Sequence, residues 1–228
     1  MTTIFEEEVT CGVCGHKQTV PELGSTNSFG SMDLDTRPPD MQRSTMDMWV
    51  HECEGCGFVA PELLTVRPSD ASVVATSGYR AALDDGQRSR LANRFVCCAL
   101  LDEAAGELAT AGWRRLHAAW VCDDDEADDA AQALRREAVA LFERGRAAGQ
   151  GAMPSVAGGE ELLLADLARR AREFEPAEAY CAAGLALPEV SAFVTRLLVY
   201  ERGLVMARDT GCHSVAEVES PEAKGTVH

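Results

Sequence analysis

Two periodicities divide the chain. Up to about residue 67 the apolar positions come in short alternating runs broken by turn formers, whereas beyond Pro68 they recur every three or four residues, the spacing of helices with one buried face. In the second region Asp70 caps a helix expected over 71–84 and ended by Asp84-Asp85-Gly86. The next, over 87–104, sets Leu91, Phe95, Cys98 and Leu101 on one face, widened by Val96, Cys97 and Leu100, and should be largely buried. Ala109, Trp113, Leu116 and Trp120 carry a third helix to Asp123-Asp124-Asp125. Ala130, Leu134, Ala138, Leu141 and Phe142 carry a fourth over 126–148, stopped by Gly149-Gln150-Gly151.

Residues 149–159 hold four glycines and one proline and read as an internal linker. Beyond it, Leu163, Leu164, Leu167 and Ala168, a turn at Arg172 to Glu175, then Ala177, Cys181 and Gly184 describe a helical hairpin over 160–187. The small Ala177 and Gly184 let its second helix lie close on the first. A last helix over 189–208 presents Val190, Phe193, Leu197 and Leu204 as a face that closes the stack, with Arg196, Glu201 and Arg202 along it as surface charges. Residues 214–228 are expected to be a mobile polar tail.

In the first region Ile4, Phe5 and Val9 predict a strand within residues 1–10. Pro21, Gly24, Gly30, Pro38 and Pro39 forbid a long helix between Lys17 and Val50, and the alternation from Met46 to His51 predicts a second strand.

This region also repeats one short motif: Cys11-Gly12-Val13-Cys14-Gly15 and Cys53-Glu54-Gly55-Cys56-Gly57. Two intervening residues let both sulfurs of a pair reach one ion about 2.3 Å away, and the glycine that follows lets the chain turn back beneath it. Cys11, Cys14, Cys53 and Cys56 are therefore expected to ligate one structural zinc ion in a ribbon. Iron is the rival, because rubredoxin-type sites use the same two knuckles. The expected fold is α+β, mainly α: a small four-cysteine zinc ribbon over 1–67 packed on a C-terminal helical body over 68–213, then the tail.

The 228 residues carry a net charge of −16, with 11 acids against 4 bases in residues 1–67 and 26 against 17 in the remainder. Neither part offers the Lys/Arg surface that displaces phosphate counterions, so no nucleic-acid binding is expected. No apolar run is long enough for a membrane span, and Glu6, Glu7 and Glu8 stand where a signal peptide needs a basic start. Nine cysteines, an odd number, with two Cys-x-x-Cys pairs indicate metal in a reducing compartment, so a cytoplasmic location is expected. Cys97, Cys98, Cys122, Cys181 and Cys212 mostly sit in apolar helical patterns, where cysteine acts as a small hydrophobe.

Cys11 to Gly15, the stretch Phe29-Gly30-Ser31-Met32-Asp33-Leu34-Asp35-Thr36-Arg37-Pro38, the run Trp49 to Phe58 and the helical Leu116-His117-Ala118-Ala119-Trp120 resemble a bacterial family of unknown function with an N-terminal zinc ribbon followed by tetratricopeptide-like helices. The 160–187 hairpin resembles one tetratricopeptide repeat, its small and large positions falling on Ala165, Phe174, Ala177 and Gly184. The resemblance implies architecture and zinc and no activity.

Among the remaining candidates, Asp33, Asp35 and Arg37 alternate, so an extended backbone would place them on one face to pair or to bind a small ligand; a turn network bracing the loop between the knuckles is the alternative. His16 and His51 lie two residues from ligand cysteines and are replacement ligands at most. The acidic run Asp123 to Asp129 reads as solvated helix ends, His117 as packed between Trp113 and Trp120, and Cys212-His213 lacks identifiable partners. With no phosphate loop, triad or open metal shell, the expected function is non-enzymatic binding of a protein or peptide; the alternative is an enzyme or small-ligand sensor with a pocket between ribbon and helices using Asp33, Asp35 and Arg37.

Overall fold

The computed structural model describes residues 2–153 and 155–219. Its architecture is α+β, mainly α. Strands β1 (Thr3–Thr10) and β2 (Lys17–Ser25) form an antiparallel ribbon around the first cysteine pair, with Glu7 opposite Val20, Val9 opposite Gln18, and a register shift between Thr3 and Ile4. Strands β3 (His51–Glu52) and β4 (Val59–Ala60) form a two-rung ribbon around the second. The strand expected over Met46 to His51 is instead a 3-10 turn over Arg43–Met48 that buries Thr45, Met46 and Met48. Local polar bonds hold it: the Thr45 hydroxyl donates to the Gln42 carbonyl at 2.8 Å and accepts from Trp49 Nε1 at 3.0 Å.

The helix expected over 71–84 is two, α1 (Asp70–Val74) and α2 (Ser77–Leu83). The chain breaks at Thr76, which leaves the helical region and caps α2 through Oγ1, accepting from Tyr79 N at 3.2 Å. Ser89 caps α3 (Arg90–Ala104) in the same way. Helices α4 (Leu108–Asp124) and α5 (Asp128–Ala147) follow, joined by short turns whose left-handed residues are Gly106 and Glu126.

Composition changes at Pro68, but compactness divides the chain elsewhere. One unit comprises residues 1–28 and 40–150; the other comprises Phe29–Pro39 and residues 151–228. The first therefore holds both cysteine pairs together with α1 to α5, because the second ribbon is hydrogen-bonded and packed onto α2. Its helical core includes Ala99, Ala111 and Leu141.

The second unit contains α6 (Gly159–Arg170), α7 (Phe174–Ala186), α8 (Ala192–Ala207) and α9 (Val215–Glu219). Leu34 joins its core beside Leu162, Val194, Leu197 and Leu198, and a second cluster gathers Ala165, Ala168, Ala177, Cys181 and Val205. The buried face of α8 is Val194, Leu197, Leu198, Glu201 and Val205; of the four expected residues only Leu197 is fully enclosed, Phe193 is 39% exposed, and Glu201 is buried rather than a surface charge. Ser214 to Ala216, expected to begin a mobile tail, pair instead with residues 31–33: Ser214 bridges Asp33, Val215 N donates to Met32 O at 2.9 Å, and Ala216 N donates to Ser31 Oγ at 3.0 Å. Residues 220–228 lie outside the described residues. No helix among the described residues is long and apolar enough to cross a membrane.

Gly184 shows why small residues stand in this hairpin. A Cβ there would lie 2.9 Å from Leu198 Cδ1 and 3.0 Å from Glu161 Cβ. Gly184→Leu is accordingly expected to destabilise this unit by about 2 kcal/mol through overpacking. Gly203→Ala, on the open face of α8 where no atom lies within 4 Å, should stabilise it by about 0.5–1 kcal/mol. Denaturant midpoints of the two variants should move in opposite directions.

Candidate metal centre

Both cysteine pairs fold into the same loop. Cys11 N donates to His16 O and Cys53 N to Phe58 O, each at 2.8 Å; Gly15 N donates to Cys11 O at 2.8 Å and Gly57 N to Cys53 O at 2.7 Å. The turn back requires a positive φ, 76° at Gly15 and 71° at Gly57, which glycine adopts without a Cβ penalty. Folding each loop also turns backbone N–H groups onto sulfur: that of His16 reaches Cys14 and that of Phe58 reaches Cys56.

The loops bring the four sulfurs to within 4.8 Å of one another, with Cys11 to Cys56 at 3.7 Å and Cys14 to Cys53 at 3.6 Å. Disulfide sulfurs would stand about 2.0 Å apart. A tetrahedron with metal–sulfur bonds of about 2.3 Å has edges of about 3.8 Å, which these two edges nearly match. The cluster thus suits a metal ion by donor type, number and spacing. Burial pushes the Cys53 and Cys56 thiols up, while the His16 N–H holds Cys14 down. Metal binding must displace these protons, so affinity weakens in acid.

Three side chains absent from the sequence-based site hold the second loop in place. Tyr79, 1% exposed on α2, donates its hydroxyl to Gly57 O at 2.9 Å and accepts from Val59 N at 3.1 Å. Arg80 Nη1 donates to Cys56 O at 2.8 Å, and Arg90 pairs with Glu52. Gln18 of β2 ties the two ribbons, its amide donating to Glu52 O and accepting from Glu54 N, both at 2.9 Å. Nothing in helix periodicity marks these residues, since their partners lie far away in the chain and are mostly backbone atoms.

Asp33, Asp35 and Arg37 are not spread along an extended face. Thr36 has φ 69°, Thr36 N donates to Asp33 O at 2.9 Å and Asp33 N to Arg37 O at 3.0 Å, so the segment is a tight turn. All three side chains are buried, at 7%, 0% and 4% exposure. Asp35 accepts from Arg170 Nη1 at 2.9 Å and from Arg37 N at 3.2 Å. The segment is thus a turn network, as the alternative expected, and Asp35 fastens it to Arg170 of α6 in the second unit.

His16 Nε2 lies 4.0 Å from Glu54, whereas His51 is 4% exposed with Nε2 3.1 Å from Glu22 Oε1. Neither belongs to the sulfur cluster. His117 packs among Trp49, Phe95, Trp113 and Trp120 with ring centroids 4.9–6.4 Å away, and burial lowers it to about 3, so it is a neutral core ring. Asp123 of the acidic run accepts from Arg135, itself 2% exposed. Cys97, Cys98, Cys122 and Cys181 are raised to between about 11 and about 12 by burial and are inert at neutral pH. Cys212 is exposed, and partial desolvation raises its thiol to about 12, so little thiolate forms at neutral pH.

No family model matches the chain, and neither the curated proteins nor the solved structures contain a match to it.

Proposed function

We propose that this chain is a non-enzymatic protein- or peptide-binding module of the bacterial cytoplasm, with one structural zinc ion held by Cys11, Cys14, Cys53 and Cys56. The observation that carries the reading is the all-sulfur donor set: four thiolates fill a tetrahedral shell and leave no position for water or substrate. Within each unit consecutive helices pack on one another, α3 on α4 and α4 on α5 in the first and α6 on α7 and α7 on α8 in the second, which supports a tetratricopeptide-like body whose faces serve recognition. The reading through Asp33, Asp35 and Arg37 as a ligand site has less support, because those side chains are buried in bonds of their own. Capture of partners from native lysate, together with metabolite analysis of the purified protein, tests the module against a ligand sensor. A recurrent protein partner is expected; a stoichiometric small molecule without one would reverse the assignment.

Charge yields a second expectation. With a net charge of −16 the chain should show no shift of duplex or single-stranded oligonucleotides at physiological salt. A salt-sensitive submicromolar complex would contradict it.

A further inference from the structure

Where the second ribbon meets the helices, β4, the turn after it, α1, α3 and α4 bound a cavity of about 290 Å³, at the small end of ligand pockets. All of it lies within the first unit. Phe58, Ala60 and Pro61 give it an apolar wall, and five charged side chains stand around that wall: Arg67, Arg114, Asp70, Asp102 and Glu62. Because Phe58 directly follows Gly57, the wall is continuous with the second cysteine loop.

Donors are left over on one side of this cavity and an acceptor on the other. Arg67 occupies both aspartates: its backbone N donates to Asp70 Oδ2 at 2.8 Å, its Nε to Asp70 Oδ1 at 3.2 Å and its Nη1 to Asp102 Oδ1 at 2.7 Å. The second Asp102 oxygen accepts from Cys98 Sγ at 4.0 Å. Arg114 Nε lies 3.5 Å from that same oxygen, an ion pair too long and too poorly aligned for a hydrogen bond, and neither Arg114 Nη group bonds an acceptor among the described residues. Arg67 Nη2 is also unused there. Across from these donors, Glu62 Oε2 accepts from Thr65 Oγ1 at 3.1 Å, while Oε1 accepts from no described residue. Charge narrows the choice of ligand further, because the two guanidinium groups balance the two aspartates and Glu62 leaves one negative charge over. An anion would enlarge that excess, and a cation would leave the arginine donors unmet. A zwitterion meets both ends and leaves the total unchanged.

We propose that this cavity binds a free aliphatic α-amino acid. The ligand's carboxylate takes the paired Nη donors of Arg114, whose planar fork matches its two oxygens, with Arg67 Nη2 at its flank. Its ammonium donates to Glu62 Oε1, and its side chain lies against Phe58, Ala60 and Pro61. The apolar wall selects an aliphatic side chain over a polar one, since a polar group would lose its water there without a partner. This site uses no partner polypeptide, so it stands apart from the module reading above.

The test uses the full chain with its metal, titrated with leucine, with leucinamide, which lacks the carboxylate, and with 4-methylpentanoate, which lacks the ammonium. The Arg114 Nε–H and Ala60 amide signals are followed by NMR. Leucine should shift both, leucinamide should bind about tenfold more weakly or not at all, and 4-methylpentanoate about threefold more weakly or worse. Arg114→Gln should weaken leucine binding about tenfold or more, as expected for loss of charge-assisted bonds. Glu62→Gln, at an exposed position where folding is not at stake, should weaken it about threefold or more, whereas Glu6→Gln removes the same charge from β1, outside the cavity, and should change the dissociation constant less than about twofold. The analogues and Glu62→Gln keep the test decisive even if Arg114→Gln fails to fold. No shift of either signal at about 10 mM leucine, a range that would detect even millimolar binding, would overturn the proposal. So would binding of leucinamide or 4-methylpentanoate as tight as that of leucine, or equal effects of Glu62→Gln and Glu6→Gln.

Discussion

Replacing Cys53 by serine should empty the metal centre and unfold both ribbons. Elemental analysis of the parent chain should give about one zinc per chain, and the variant less than about a third. The effect is large because four-sulfur sites contribute about 10–16 kcal/mol of apparent binding free energy at neutral pH, and that energy is folding energy for loops too small to hold their own shape. The second ribbon has only two rungs, and its buried Val50, Phe58 and Val59 cannot stay enclosed once the loop carrying Gly57 relaxes. The damage should extend one layer further than the ribbons. Tyr79 would lose both backbone partners, so α2 should exchange its amide hydrogens faster, while α3 to α8 keep their far-ultraviolet circular dichroism. A coloured iron protein, or a Cys53→Ser variant that keeps its metal and its melting curve, would refute the assignment.

Arg169→Ala should be the most damaging single change in the second unit, at about 3–5 kcal/mol, the cost of removing one partner from a buried ion pair. Its guanidinium is wholly buried; Nη2 donates to Asp166 and Nε to Glu201, both at 2.6 Å, and Nη1 donates to the carbonyls of Asp209 and Gly211 at 2.8 and 2.9 Å. Alanine would deprive both buried carboxyl groups of this guanidinium and release the 209–211 loop that leads into the Asp33–Ser214 bridge.

One cation between two carboxylates also makes this unit sensitive to pH. Burial first, then the Asp166 charge, outweighs Arg169 and pushes Glu201 up to about 8 from an ordinary 4.5. The folded chain thus holds this proton more tightly than the unfolded chain. The associated stabilisation is complete below about pH 4.5 and is lost as pH rises through about 8. Melting temperature should decline across that window through this group. Glu201→Gln, which keeps the acceptor for Arg169 and replaces an oxygen that has no hydrogen-bond partner, should abolish that part of the decline and cost little at pH 8. An unchanged pH profile in Glu201→Gln would show that the group is not responsible.

Helix existence is legible in the chain because burial of one face imposes a period that survives in the sequence: α3, α4, α5 and the α6–α7 hairpin all lie within a few residues of their expected spans. Boundaries shift where a side chain captures a backbone group, as at Thr76, which splits one expected helix into two. The face of α8 departs from expectation for a different reason. Glu201 reads as a surface charge in sequence, and only the presence of buried Arg169 from α6 makes its burial tolerable.

The cysteine centre and the Phe29–Pro39 segment show the two limits. By itself the sequence determined that four sulfurs converge, because Cys-x-x-Cys-Gly encodes its own loop: the glycine φ and the backbone bonds lie within six residues, so local chemistry is sufficient. It also determined the helical class of the remainder and the acidic character. Tertiary structure alone decided where Asp33, Asp35 and Arg37 belong. Asp35 meets Arg170 across 135 positions, and Leu34 completes a core made of α6 and α8, so a segment that reads as the loop between two knuckles is structurally part of the other unit. Only tertiary structure, likewise, set His51 against Glu22. Pairings between distant residues leave no period in the chain, because each is fixed by the burial and charge of a partner that the neighbouring sequence does not contain.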